Sequence, residues 1–370
     1  MAAKNVLGII FSNAHDEALS ELTAMRTMGS VPFAGRYRLI DFPLSSMVNA
    51  GIPQVGIITK SNYRSLMDHV GNGKPWDLSR KRGGLTLLPP FNTPETGMFK
   101  GKADALYGSI SYISDSDMDY VVLCDTNIIC SIDYDAMIKE HIAKNSDITI
   151  AYANGLPPKI ASATEFIFDA NGRITEDKFI DCYSSEVNYS LKAMVIGRVL
   201  LERLLSEAHS SRIDDFETII IKNLDNLNVY GFKVEGFVRT LASLQDYYDV
   251  SLELLKPEVR KGFFNPENPI YTKVRDQAPA IYGMSAKVTN SLIADGCKID
   301  GEVENCILFR GVTVAKGAKV KNSIIMQDTY IGDNSEIESV IADKKVTVKP
   351  NKKLCGASNY PVYIGKGIVI

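Results

Sequence analysis

Through the first two-thirds of the chain, short runs rich in Val, Ile and aromatic residues recur at residues 6–11, 54–59, 120–124 and 148–153. Between them, residues 61–70, 102–113 and 133–145 carry apolar side chains at spacings of three and four. The first pattern predicts strands and the second predicts helices with one apolar face. Strands alternating with helices imply an α/β domain whose parallel or mixed sheet is covered on both sides. Near-continuous runs such as Val121-Val122-Leu123 belong at the centre of such a sheet, where both faces of a strand are buried. Asp133 is placed to cap a helix beginning at Tyr134, its carboxylate accepting from a backbone N–H of the first turn.

After Pro257 the periodicity changes. Residues 262–279 contain Pro266, Pro269 and Pro279 and few helix formers, which predicts an extended linker. Beyond it, aliphatic residues fall at every sixth position: Leu308, Val314 and Val320, then Ile325, Ile331 and Ile337. Ile293 and Ile299 belong to an earlier turn, and Gly296, Gly311, Gly317 and Gly332 lie where the chain must turn corners. The two triplets start 17 residues apart, close to one coil of a left-handed parallel β-helix built from hexapeptide repeats. An ordinary antiparallel β domain is the competing reading. The expected organisation is one domain over residues 1–256, a linker over 257–284 and a β-helix over 285–370.

Composition narrows the function classes. The 370 residues suffice for two cores. A net charge of −3, from 41 basic against 44 acidic residues, argues against a nucleic-acid surface. With 45% hydrophobic and only 23% charged residues, a disordered chain is excluded. No apolar run approaches the roughly 18 residues of a membrane span. The run at 6–11 is shorter than a signal peptide requires and leads into Asp16 and Glu17. Six scattered cysteines without a C-x-x-C pair read as reduced core thiols. A soluble, cytoplasmic protein is expected.

One segment is idiosyncratic: Pro32-Phe33-Ala34-Gly35-Arg36-Tyr37-Arg38-Leu39-Ile40-Asp41-Phe42-Pro43-Leu44-Ser45. It closely resembles the signature of glucose-1-phosphate adenylyltransferases, the ADP-glucose pyrophosphorylases. Three further blocks follow in family order: Gly101-Lys102-Ala103-Asp104-Ala105-Leu106-Tyr107, Ile132-Asp133-Tyr134, and Val229-Tyr230-Gly231-Phe232 with Val238-Arg239. The resemblance covers nearly the whole chain. It implies a Rossmann-like nucleotidyltransferase (GT-A-like) domain followed by a left-handed β-helix. The implied family reaction makes ADP-glucose and pyrophosphate from ATP and glucose 1-phosphate, for glycogen or starch.

That reaction gathers negative charge, which a protein manages with glycine-turn N–H groups, basic side chains and carboxylate-held Mg²⁺. The family's glycine-rich turn, close to GGxGxR, aligns here with Asn13, Ala14, His15, Asp16, Glu17 and Ala18. No glycine remains, the arginine is Ala18, and Asp16 and Glu17 bring negative charge toward the phosphates. A family lysine further on becomes Met28, although Arg26 remains. Counting back from Ile132-Asp133-Tyr134, the first metal carboxylate becomes Asn127; the second, in a WRDVG-like segment, becomes Thr240. A carboxamide is a neutral, weaker ligand for a hard cation. No metal or other cofactor is therefore expected on this chain, with Mg²⁺ implied in a catalytic partner.

Residual ligand binding is open at Arg36, Arg38, Trp76, Lys102, Asp104, Tyr107 and Lys178. The two arginines suit a small phosphorylated effector or surface carboxylates, and Trp76 suits a binding loop or packing. Lys178 is a candidate for the family's sugar-phosphate lysine. The resemblance implies a divergent regulatory subunit that joins a catalytic adenylyltransferase subunit, in a heterotetramer, with a homo-oligomer when alone. Two readings compete: an active adenylyltransferase with metal recruited by Asp125 or Asp16, and a sugar-phosphate sensor. A hexapeptide acyltransferase is disfavoured, since His15, His69, His141 and His209 all precede the repeats.

Overall fold

The protein is described here from a computed structural model covering residues 2–90, 99–160, 162–181 and 183–370. Val6–Phe11 is the hub of a nine-stranded mixed sheet. It pairs in parallel with Gln54–Ile58 on one side and Tyr120–Asp125 on the other. Gly84–Leu88 extends the first side in parallel, and the antiparallel Val187–Gly197 continues the second. Every side chain of Val6–Phe11 is buried, because alternate residues enter separate cores. Val6 and Ile10 join one, while Leu7, Ile9 and Phe11 join the other. Asp133 caps Tyr134–Ala143 as expected, its carboxylate accepting from the Ala136 N–H at 2.9 Å.

Some expected boundaries move. The helix expected over 102–113 divides into Lys102–Gly108 and Ile110–Ser114, and the one expected from residue 61 begins at Arg64. Pro257–Phe263 is helical, with proline in the first turn where its missing N–H costs nothing. Its Phe263 enters a core. Four cysteines are buried thiols, but Cys355 is exposed, which corrects the core reading for that residue. Cys182 lies outside the described residues. No described helix is long and apolar enough to cross a membrane.

The C-terminal residues form a left-handed parallel β-helix with three five-stranded sheets, the first strand being Ile281–Tyr282. Leu308 stands in register with Ile325, Val314 with Ile331, and Val320 with Ile337. Ile293 pairs with Leu308 and Ile299 with Val314, one coil earlier. All these aliphatics but Ile293 are buried. Along one outer column, Lys287, Glu302, Lys319, Glu336 and Lys353 stand in register. Lys287 pairs with Glu302 at 3.0 Å and Lys353 with Glu336 at 2.7 Å.

The two parts share a core. Phe33, Leu39 and Phe42 of the signature segment are buried with Ile307, Phe309, Ile324, Met326 and Ile341 of the β-helix. Pro32–Phe33 and Tyr37–Arg38 form a small antiparallel hairpin, turned by Ala34 and Gly35 at φ 51° and 79°. Glycine suits that left-handed geometry, and the turn points at Ile307 and Leu308.

Candidate functional site

In a sheet of this kind, ligands bind beyond the carboxyl ends of the parallel strands. Here Phe11 and Asp125 end neighbouring strands in register. The loop after Phe11 is closed on itself. Asn13 donates to Asp16 at 2.7 Å and to the Ser61 carbonyl at 3.1 Å, and accepts from the Lys60 N–H at 2.8 Å. The N–H groups of Asp16 and Ala18 bond to the carbonyls of Asn13 and His15. His15 is held at φ 63°, and Ala14 packs against the core.

Asp16 does not face the cleft. Its carboxylate accepts from the Met28 N–H at 2.7 Å. Burial pushes its pKa up to about 6, against the hydrogen bonds from Asn13 and Met28. Glu17, by contrast, lines the cleft, a cavity of about 370 Å³ shared with Phe11, His15, Lys60 and Lys102. Arg26 turns away to a buried pairing with Asp343.

Asn127 and Thr240 lie on adjoining backbone segments. Thr240 pairs with Ile128 across a short antiparallel ladder, and the Leu241 N–H donates to the Asn127 carbonyl at 2.8 Å. Asn127 is 1% exposed, and neither its amide nor the buried Thr240 hydroxyl has a hydrogen-bond partner. Neutral side chains at both positions give a divalent cation no charge to bind. Mg²⁺ therefore does not fit there. Among the described residues no group of three or more His, Cys, Asp or Glu side chains is arranged to hold a metal.

Lys102 lies in the cleft, but its ammonium is engaged. It donates to Asp125 at 2.8 Å and to Glu217 at 2.7 Å. His15 approaches the same Asp125 oxygen at 3.2 Å. Burial alone would favour the neutral amine, but Asp125 and Glu217 outweigh it and hold the ammonium well above the ordinary lysine range. Burial opposes ionisation of both acids as well, and Lys102 nevertheless keeps each below its ordinary range. Lys192 adds to the field that ionises Glu217. It is 8% exposed and sits at φ 52° where Val187–Gly197 bulges.

The remaining residues scatter. Asp104 accepts from the Lys100 N–H at 3.0 Å, and Tyr107 stacks on His209 at 3.9 Å. Trp76 is buried edge-on against His69. Lys178 is exposed on Ile174–Phe179 and pairs with Glu176, while the neighbouring Asp177 is electrostatically coupled to Lys192 and Glu217. Sequence reasoning missed Glu217 and Lys192. Glu217 follows the helix cap Asp215, a weak signal, and nothing in the sequence marks Lys192.

Arg36 and Arg38 enter a separate cleft against the β-helix, with Lys273, Arg275, Arg310 and Lys344. Arg38 also donates to the Ser65 carbonyl and hydroxyl at 2.6 and 2.9 Å. Arg310 is 4% exposed, yet its Nε and one terminal nitrogen have no partner. Burial, followed by Arg38 and Arg26, brings the Lys344 ammonium down to about 7.

Two family models match the chain. One is described as nucleotidyl transferase, over residues 7–166, and the other as GlmU-like, C-terminal hexapeptide, over residues 278–358. The glycogen biosynthesis protein GlgD of Bacillus subtilis (strain 168) is 36% identical, across 100% of this chain and 98% of that protein. A glucose-1-phosphate adenylyltransferase of Fervidobacterium nodosum is 34% identical, over 95% of this chain and 86% of its own length. One from Clostridium perfringens (strain SM101 / Type A) is 32% identical, over 94% and 97%. With both domains, the signature hairpin and end-to-end similarity in agreement, the chain belongs to the glucose-1-phosphate adenylyltransferase family, as a GlgD-like member.

Proposed function

We propose that this chain is a regulatory, catalytically silent subunit of a hetero-oligomeric glucose-1-phosphate adenylyltransferase, supporting ADP-glucose synthesis for glycogen. The observation that carries this reading is that the buried, uncharged Asn127 and the uncharged Thr240 stand on adjoining backbone segments, at the positions where the family resemblance puts metal carboxylates. The self-bonded loop supports it, because the N–H groups of Asp16 and Ala18 are spent within the turn. Lewis-acid help is worth several kcal/mol, so losing it costs a factor on the order of 10³ or more in rate. The names of the relatives, a glycogen biosynthesis protein and adenylyltransferases, support the pathway.

A silent subunit acts by shifting its neighbour between conformations, which requires different affinities for the two. The basic cleft around Arg36, Arg38, Arg310 and Lys344 favours a phosphorylated effector as the input. A rewired active site is less well supported. Asp125 already serves Lys102 and His15, and Asp16 serves Met28 and Asn13.

ADP-glucose formation by this chain, by a catalytic relative and by their mixture tests the proposal. No activity alone, with altered rate or effector response in the mixture, is expected. Substantial Mg²⁺-dependent activity of the isolated chain overturns silence, and an unaffected mixture overturns regulation.

A further inference from the structure

We infer that the Lys102 ammonium is the resident cation of the cleft, neutralising Asp125 and Glu217 in the manner of a tethered metal ion. Asp125 and Glu217 come from unrelated elements, a central strand and the helix Phe216–Lys222. They converge on one nitrogen, at 2.8 and 2.7 Å. The Asp125 side chain is fully buried, Glu217 is 13% exposed and Lys102 is 17% exposed. Two carboxylates this deep repel each other and lose hydration, so the pair persists only with a cation between them. Lys102 is the group that bonds both.

A second feature points the same way. Asp125 bonds Lys102 and His15 through one oxygen, while its other oxygen is buried with no partner. By covalent geometry that oxygen lies beside the first. It leaves unused coordinating capacity at the point where the ammonium sits. An ammonium accepts at most a few ligands along its three N–H bonds. A divalent cation takes six or more oxygens and would use both.

The backbone holds the lysine in place. The Ala103 N–H donates to the Asp214 carbonyl at 2.9 Å. A Cβ on Gly101 would come within 2.2 Å of that same oxygen. Glycine therefore lets the chain lie flat against residues 214–217, which aims the next side chain between the acids. This inference rests on the cleft's geometry and stands independently of the silent-subunit reading.

The test is Mn²⁺ titration of the full chain, read by electron paramagnetic resonance, for the unaltered protein, K102A, K102R and K102A/D125N. K102A is expected to bind one Mn²⁺ at least tenfold more tightly than the unaltered protein. K102R, which keeps the charge, is expected to match the unaltered protein, and K102A/D125N is expected to lose the gained binding. Equal Mn²⁺ binding by the unaltered protein and folded K102A overturns the inference, as does a gained site that survives D125N. If K102A is recovered unfolded, it is refolded with and without Mn²⁺. A folded yield that depends on Mn²⁺ upholds the inference, and one that does not overturns it.

Discussion

Arg26 and Asp343, 317 positions apart in the chain, form a two-pronged ion pair at 2.9 and 2.7 Å. Both side chains are at least 96% buried, and the Tyr363 hydroxyl adds a third bond to the carboxylate at 3.1 Å. The pair clamps the β-helix onto the nucleotidyltransferase-like domain beside their shared apolar core. Removing one partner strands a buried charge, so R26A or D343A is expected to lose about 3–5 kcal/mol of stability. The double change R26M/D343L is expected to recover part of that loss, since it strands no charge but removes the acceptor of the Lys344 N–H and of the Tyr363 hydroxyl. Urea denaturation followed by circular dichroism measures both.

Asn127 and Thr240, on adjoining segments, are directly exchangeable for carboxylates. N127D/T240D places carboxylates on these adjoining segments, one of them at the fully buried position of Asn127. Without metal the variant is expected to be several kcal/mol less stable than the unaltered protein. Added Mn²⁺ or Mg²⁺ is expected to restore much of the difference. A thermal midpoint that ignores divalent cations would show that these positions do not face a common point.

Lys344, brought down to about 7, makes the basic cleft sensitive to pH. Its folded value lies below the unfolded value of about 10.4, so folding releases a proton between those limits. Stability from this group therefore rises as pH climbs from about 7 toward 10. Ligand binding runs the other way. Below about 7 the ammonium joins Arg36, Arg38 and Arg310, so sulfate, whose charge is fixed over this range, is expected to bind several-fold more tightly at pH 6 than at pH 8. K344M is expected to flatten that dependence in a calorimetric titration.

Asp16 has the opposite sign. Its carboxyl, pushed up to about 6 mainly by burial, titrates above the unfolded value of about 3.9. The folded state holds an extra proton between the two, so this contribution is complete below about 4 and lost as pH rises through 6. D16N lacks it. The stability difference between the unaltered protein and D16N is expected to fall by about 2 kcal/mol from pH 4 to pH 7.

The fold is legible in the sequence where a period repeats. The 17-residue offset between Leu308 and Ile325 became their register in the β-helix, because every coil must bury the same position. Asn127 follows from counting along the chain and Thr240 from the WRDVG-like segment, and backbone pairing makes their two segments neighbours. Direction was not legible. Lys102 reads as a free cation on a motif, yet its neutralising partner Glu217 stands 115 residues away, without a local pattern. Lys192 depends on a bulge and a left-handed φ, which local composition does not announce. The helix Pro257–Phe263 falls within the expected linker, because the prolines that follow dominate the local composition.

The column running from Lys287 through Glu302, Lys319 and Glu336 to Lys353 has an odd number of members. Alternation over an odd count returns to its starting sign, so the β-helix has chain direction but no charge direction along that column. A further coil laid in register on either end meets an ammonium first. Two copies of this chain stacked end on end would bring lysine to lysine and push apart, whereas a coil offering an acid at that position would continue the alternation. The parity of one surface column thus gives its two ends the same sign of charge.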